Sequence, residues 1–303
     1  MYILLIGGGW SNEREISLKG VQSIHETLID LDHDVEFLDP AYDLDKLLAR
    51  AEDSDFAFIN LHGSPGEDGI VQSMLDRIGC PYQGSDPCGS LLALNKAVSK
   101  EIFIHYQIPT PAWKFISSEP KTQGEMGFDS SVIVKPNIGG SSIDLQLIRD
   151  NSTLLEAVSS LISQGDQVLL EEYIQGEEIT CAVLGDTPLP PVMIKPADNS
   201  DLFDFYSKYT PKAAQEICPA PISESLTQKI QDLALKTHTV LGLSDYSRTD
   251  FMVHEETPYA LEVNTLPGMT NTSLMPQAAG AIGYSYQGLI SELVDLGMRK
   301  KSK

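Results

Sequence analysis

The sequence predicts a mixed α/β and α+β protein, with a doubly wound α/β unit followed by a small central α+β domain and a C-terminal α+β domain. Three observations predict it. The chain opens on the apolar run YILLI (2–6), which ends in Gly7-Gly8-Gly9. Strand-like runs recur at 35–38 and 56–60 with helical patterns between them, and from about residue 91 this alternation gives way to Pro- and Gly-punctuated strands and loops. At 303 residues the chain has room for two or three domains of roughly 100 to 150 residues.

YILLI reads as a buried parallel strand because every position is apolar, and the glycines turn the chain at its carboxyl end. Ser11 opens a helix with Glu13 and Glu15 in its first turn, where the helix dipole favours acids. VEFL (35–38) and FAFIN (56–60) complete a βαβαβ unit over 1–90. Ligands of such sheets sit at the carboxyl ends of strands, which here are GGGWSNERE and LHGSPGEDG.

The central domain, 91–176, begins with a helix carrying Lys96 and Lys100. It continues through Pro109 and Pro111 to the strand SVIVKP, a Gly-Gly-Ser-Ser loop and the strand QVLLEEY (167–173). The C-terminal domain, 177–303, starts with TCAVLG and then an irregular polar stretch at 195–217, which reads as a lid loop because compact domains rarely leave such a length without structure. A helix over 223–241, a hairpin and a last helix near 286–298 complete the chain.

The net charge of −22 repels a nucleic-acid backbone, so any anionic ligand requires a few lysines that reverse the sign inside one cleft. Hydrophobic residues make up 42% and charged ones 21%, and no run reaches the roughly 20 apolar residues of a membrane span. The start of the chain lacks the basic stretch and cleavage site of a signal peptide, so a cytoplasmic location without membrane contact is expected. Cys80, Cys88, Cys181 and Cys218 show no CxxC spacing and are expected to be reduced and structural.

The hairpin carries the most telling pattern. TDFMV (249–253) and YALEVN (259–264) flank HEETP, and symmetry about Glu256 places Asp250 opposite Glu262, with Asn264 and Arg248 on the same face. Two carboxylates and a carboxamide form the all-oxygen set that Mg²⁺ prefers, and uncompensated they would repel. Lys135 closes an apolar strand just before Gly139-Gly140-Ser141-Ser142, a loop whose backbone donors suit phosphate, although GxxxxGK[ST] is absent. Glu171 and Glu178 flank the next turn, where carboxylates suit adenine or ribose hydroxyls. His62 among glycines is more often a hydrogen-bonded turn residue than a base. A dinucleotide-binding oxidoreductase is disfavoured because Asn12 stands where a third glycine belongs and Asp39 lies too far along. Serine hydrolase chemistry is disfavoured because Ser11, Ser141 and Ser142 lack a GxSxG elbow.

Taken in order, GGGWSNEREISL (7–18), HGSPGEDG (62–69), the Lys96 helix, IPTP (108–111), VKPNIGGSS (134–142), EEYIQGEEIT (171–180), FYSKY (205–209), RTDF (248–251) and LEVNTLPGMTNTSLMPQAA (261–279) span nearly the whole chain. On these motifs the sequence resembles the D-alanine–D-alanine ligase family of the ATP-grasp superfamily. The resemblance implies an ATP-grasp fold and a cytoplasmic homodimer that makes D-alanyl-D-alanine for peptidoglycan through an acyl phosphate. It implies that Glu13, Ser141 and Tyr209 hold the first D-alanine near His62, and that Lys96, Lys135, Ser142, Glu171 and Glu178 grip ATP. It further implies that Asp250, Glu262 and Asn264 hold two Mg²⁺ ions, with Mn²⁺ as a substitute. Arg248 and the Gly268 backbone would stabilise the tetrahedral intermediate, and Lys208, Ser273 and Leu274 would meet the second D-alanine. Tyr209 in FYSKY argues for a dipeptide rather than a D-alanyl-D-lactate product.

The sequence departs from the family at a few points. Asp144 stands where the phosphate loop usually has glycine, Gly139 where some members carry an acid, and Phe203 and Phe205 where tyrosines are common. Asp144 facing the phosphates would weaken ATP binding, whereas facing solvent it would be harmless. The departures keep two alternatives in view: a ligase of the same build acting on other amino acids, and a relative that binds ATP without turnover.

Overall fold

In the computed structural model, which describes residues 1–140, 144–196 and 214–300, the first apolar run is β1 (Tyr2–Gly7), buried from Ile3 onward. Helix α1 (Arg14–Asp30) returns the chain to β2 (Asp34–Leu38), and short helices α2 (Pro40–Asp43) and α3 (Leu47–Glu52) lead to β3 (Phe56–Asn60). The strands pair in parallel in the order β2-β1-β3, and all of β3 is buried, as in a parallel sheet covered on both faces. Helix α1 begins at Arg14, so Glu13 is its N-cap rather than part of the first turn. Its Ser17 donates a hydrogen bond to the Asn60 carbonyl and accepts one from the Gly8 N–H at 2.8 Å, while Asn60 Nδ2 donates back to the Ser17 carbonyl at 2.8 Å. The loops that follow β1 and β3 are thereby held side by side.

Helices α4 (Ile70–Ile78), α5 (Pro87–Leu94) and α6 (Lys96–His105) lead into a four-stranded antiparallel sheet. Its strands are β4 (Trp113–Ile116), β5 (Val132–Pro136), β6 (Gln146–Ile148) and, after helix α7 (Leu154–Ser163), β7 (Val168–Glu172), in the order β4-β7-β5-β6. The larger sheet runs β11-β10-β8-β12-β13, with β9 paired to β8. These strands are β8 (Glu177–Leu184), β9 (Thr187–Pro188), β10 (Val192–Pro196), β11 (Ala214–Ile217), β12 (Tyr246–His254) and β13 (Thr257–Asn264), with α8 (Glu224–Val240) before the hairpin. Helices α9 (Leu274–Ala281) and α10 (Tyr286–Lys300) follow.

The structure also differs from the sequence reading in the second half of the chain. The ends of the stretch read as irregular are strands, since Lys195 pairs with Gln215 and Pro196 with Ala214; 197–213 lie outside the described residues. Helix α9 was hidden by Pro276, which sits in the first turn where a missing N–H costs nothing. Helix α10 packs Leu289, Ile290, Leu293 and Val294 into the same core as Ile3, Leu5 and Phe58, so the far end of the chain covers the first sheet.

The hairpin turn has a consequence for stability. Its central residues, Glu255 and Glu256, have φ of 45° and 63°, a left-handed conformation that suits Asn-Gly and strains other side chains. Replacing the pair with Asn-Gly is expected to raise stability by about 1 kcal/mol, read from the urea midpoint.

His238 of α8 is buried with Nδ1 2.8 Å from the Ser247 hydroxyl oxygen, and burial pushes its pKa from 6.5 down to about 4, against the weaker pull of Asp186. Between those values the unfolded chain takes up a proton that the folded ring refuses, so stability falls with pH through that window, by up to about 3 kcal/mol. In His238→Gln the decline of the unfolding midpoint over this range is expected to be shallower.

Candidate functional site

The hairpin brings the acids together. Strands β12 and β13 pair Asp250 with Glu262 and Arg248 with Asn264. The turn is tighter than symmetry about one residue would make it, but a register shift after Asp250 leaves Leu261 unpaired and restores the alignment. Arg248 donates from Nε and Nη2 to the two oxygens of Asp250, each at 2.8 Å. Thr180 of β8 adds its hydroxyl at 2.6 Å, and Asn264 Nδ2 donates at 3.1 Å. Asp250 is only 4% exposed, and this ring of donors keeps the buried carboxylate compensated.

The lysines converge on the same region. Lys96, Lys100 and Lys135 are 5%, 0% and 7% exposed. Asn95 caps α6 through Val98 N at 3.2 Å, and Asn137 binds Ala97 N at 2.8 Å and Asn95 Oδ1 at 3.0 Å, which fixes the helix start against the loop after β5. Lys96 Nζ donates to the Gly139 carbonyl at 2.5 Å and lies 3.4 Å from Glu262. Glu171 is ion-paired through one oxygen to Lys100 and through the other to Lys135. Burial works against charge in this triad, but the lysines overcome it at Glu171, whose carboxyl is held below the usual range, and Glu171 overcomes it at Lys135, which is raised. At Lys100 burial wins and brings the amine down to about 8. Glu178 lies on β8 opposite Ile194 and Met252, and its charge contributes to the rise at Lys135.

A third group of residues joins the first domain to the end of β13. Glu13 lies so close to the glycine loop that a Cβ at Gly140 would meet its Oε2 at 2.8 Å. His62 is buried with Nδ1 3.0 Å from the Leu266 carbonyl oxygen, a hydrogen-bonded turn residue. Glu67 accepts hydrogen bonds from Gly63 N (2.9 Å), Thr265 N (3.2 Å) and Leu266 N (3.1 Å). Burial, and then the charge of Glu13, push the Glu67 carboxyl above its ordinary range. Beyond this bridge a Cβ at Gly268 would come 3.1 Å from Ser273 Oγ, and that oxygen accepts from Thr270 N at 3.0 Å. Leu274 opens α9 and packs on the first core.

Ser141, Ser142, Lys208 and Tyr209, like Phe203 and Phe205, lie outside the described residues. Asp144 is exposed and holds φ 59°, the left-handed region in which glycine is unstrained, so its departure from the expected glycine has a backbone cost and a solvent-facing side chain. Asp39 is engaged by Arg14, Gly9 N and Ala41 N rather than facing an open crevice. All four cysteines are free thiols. Among the described residues no group of three or more His, Cys, Asp or Glu side chains is arranged to hold a metal, and the hairpin set has two carboxylates with a carboxamide. Lys100, Glu67, Thr180 and Asn137 were not assigned from sequence. Lys100 had the clearest signal, one helical turn after Lys96 on the same face.

This arrangement gathers buried cations and acids where a polyphosphate and a divalent ion would compensate each other. Residues 102–295 match the family described as D-ala D-ala ligase C-terminus. The D-alanine–D-alanine ligase of Maridesulfovibrio salexigens is 51% identical over 301 residues, covering 99% of this chain and 100% of that protein. That of Nitratidesulfovibrio vulgaris is 51% identical, covering 98% of each. The solved structure of the Bacillus anthracis D-alanine–D-alanine ligase complexed with ATP superposes with a TM-score of 0.87 at 30% identity, covering 100% of this chain and 99% of that one.

Proposed function

This chain belongs to the D-alanine–D-alanine ligase family, and we propose that it performs that family's reaction, joining two D-alanines into D-alanyl-D-alanine with ATP for peptidoglycan precursor synthesis. The observation that carries the reading is the convergence of three buried lysines beside Glu171 and Glu262 in a chain of net charge −22. The lysines outnumber the two carboxylates paired with them, and that surplus of buried positive charge suits an anionic ligand.

Lys96 and Lys135, with Ser142 near the phosphates and Glu171 and Glu178 toward the nucleoside, hold ATP. Glu13 holds the ammonium of the first D-alanine, with Ser141, Tyr209 and His62 around it. The donor chemistry of Asp250, Glu262 and Asn264 fits a hard cation, and these residues would hold two Mg²⁺ ions, or Mn²⁺ in their place. Such ions supply neutralisation of the charge on the phosphates.

The carboxylate of the first D-alanine attacks the γ-phosphorus, forming an acyl phosphate and releasing ADP, while Lys96 and Lys135 offset the charge on the phosphoryl oxygens. The amine of the second D-alanine, met by Lys208, Ser273 and Leu274, then attacks the acyl carbon. Arg248 and the Gly268 backbone stabilise the oxyanion until phosphate leaves. An acyl phosphate hydrolyses readily, so water has to be kept out, and the lid role read for 195–217 passes to the segment between β10 and β11, outside the described residues. The protein works in the cytoplasm as a homodimer; among the described residues no helix is long and apolar enough to cross a membrane.

The test is phosphate release by the purified protein with ATP and Mg²⁺, in parallel with D-alanine, L-alanine and D-lactate, with product masses recorded. Release that requires D-alanine and yields D-alanyl-D-alanine is expected. Release with another amino acid alone would reassign the substrate, and ATP binding without turnover would favour a non-catalytic relative.

A further inference from the structure

Lys100 has no part in the reaction as set out above, yet it is fully buried at the meeting point of three elements. Its Nζ bonds Thr110 Oγ1 at 2.6 Å, lies 3.4 Å from the Ala260 carbonyl on β13 and pairs with Oε1 of Glu171 on β7. Thr110 also donates to the Ala260 carbonyl at 2.8 Å, and Ala260 N donates to the Pro109 carbonyl at 2.7 Å. The amine of α6 thus sits where the four-stranded sheet is stitched to the hairpin, two residues before Glu262.

Stability gives a poor account of this arrangement. A buried ion pair is often no more stabilising than apolar residues of the same volume, and a second buried lysine on one carboxylate adds further desolvation. What the pair of lysines achieves is placement: with one amine ion-paired to each oxygen, the Glu171 carboxylate is held between two cations. It also remains ionised without relying on Lys135 alone.

We infer that Lys100 is a positioning residue for ATP, anchoring Glu171 so that the carboxylate stays oriented and Lys135 keeps charge available to the nucleotide. The inference rests on the reading of this cleft as the ATP site. Without Lys100, Lys135 becomes the sole cation on Glu171 and is drawn away from the phosphates.

The experiment is a double-mutant cycle of Lys100→Met and Glu171→Gln, with KM for ATP and for D-alanine measured separately and folding followed by circular dichroism. Lys100→Met is expected to raise KM for ATP about tenfold or more, the scale of a charged hydrogen bond, and to leave KM for D-alanine within about twofold. In the Glu171→Gln background the same change is expected to add less than about twofold, because no carboxylate is left to anchor. A KM for ATP within about twofold of wild type in Lys100→Met, or an equal effect in both backgrounds, overturns the inference. An unchanged KM for ATP in Glu171→Gln itself overturns the ATP-site reading, and the inference with it. If Lys100→Met does not fold, Lys100→Gln, which keeps a donor for Thr110, goes through the same cycle.

Discussion

Replacing Arg248 with methionine is expected to lower kcat about a thousandfold while the protein stays folded. Arg248 is the bidentate partner of Asp250 at 2.8 Å and 2.8 Å, with a side chain only 16% exposed, so its charge acts in a poorly solvated site. Two losses combine in the variant. The oxyanion of the tetrahedral intermediate would lose the cation proposed for it, and Asp250 loses its bidentate partner. Thr180 and Asn264 still bond Asp250, at 2.6 Å and 3.1 Å, which is why the fold should survive. An interaction made only in the transition state, as proposed for Arg248, lowers kcat and kcat/KM together, so both should fall. Arg248→Lys keeps the charge without the fork and should fall between the two. Turnover of Arg248→Met within about fivefold of wild type would remove Arg248 from the chemistry.

Glu262→Gln is expected to abolish measurable ligation, a loss on the order of a thousandfold or more, with an unchanged unfolding curve. The substitution is nearly isosteric and sits at the site edge, in register with Asp250 and 3.4 Å from Lys96. It removes one of the two carboxylates in the proposed ligand set, so the Mg²⁺ or Mn²⁺ concentration needed for any residual activity should rise. It also removes a partner of Lys96, whose second contact is the Gly139 carbonyl at 2.5 Å. Turnover at the wild-type rate and wild-type metal dependence would sink the assignment of Glu262 to the metal.

The first sheet was legible because Ile3–Ile6 of β1 and Phe56–Ile59 of β3 are unbroken apolar runs, a pattern that only a strand covered on both faces requires. The pairing of Asp250 with Glu262 was legible from spacing, although two departures cancel to produce it: a two-residue turn and an unpaired Leu261. Strand β11 was not legible, because AQEI has no alternation that separates it from a loop until β10 is placed beside it. Nor were the roles of Lys100 and Glu67. A buried charge is explained by its partner, and these partners lie far along the chain: Glu171 for the first, Thr265 and Leu266 for the second. Asp144 shows the opposite case, in which the resemblance raised a question about phosphate and the backbone answered with a left-handed, exposed residue.

The most direct test of the account is ligation with D-alanine whose carboxylate oxygens carry the heavy isotope, followed by mass analysis of the released phosphate. Attack of that carboxylate on ATP and displacement by a second D-alanine transfer a labelled oxygen to phosphate, so labelled phosphate should appear in step with D-alanyl-D-alanine. Unlabelled phosphate, or phosphate released without dipeptide, would contradict it.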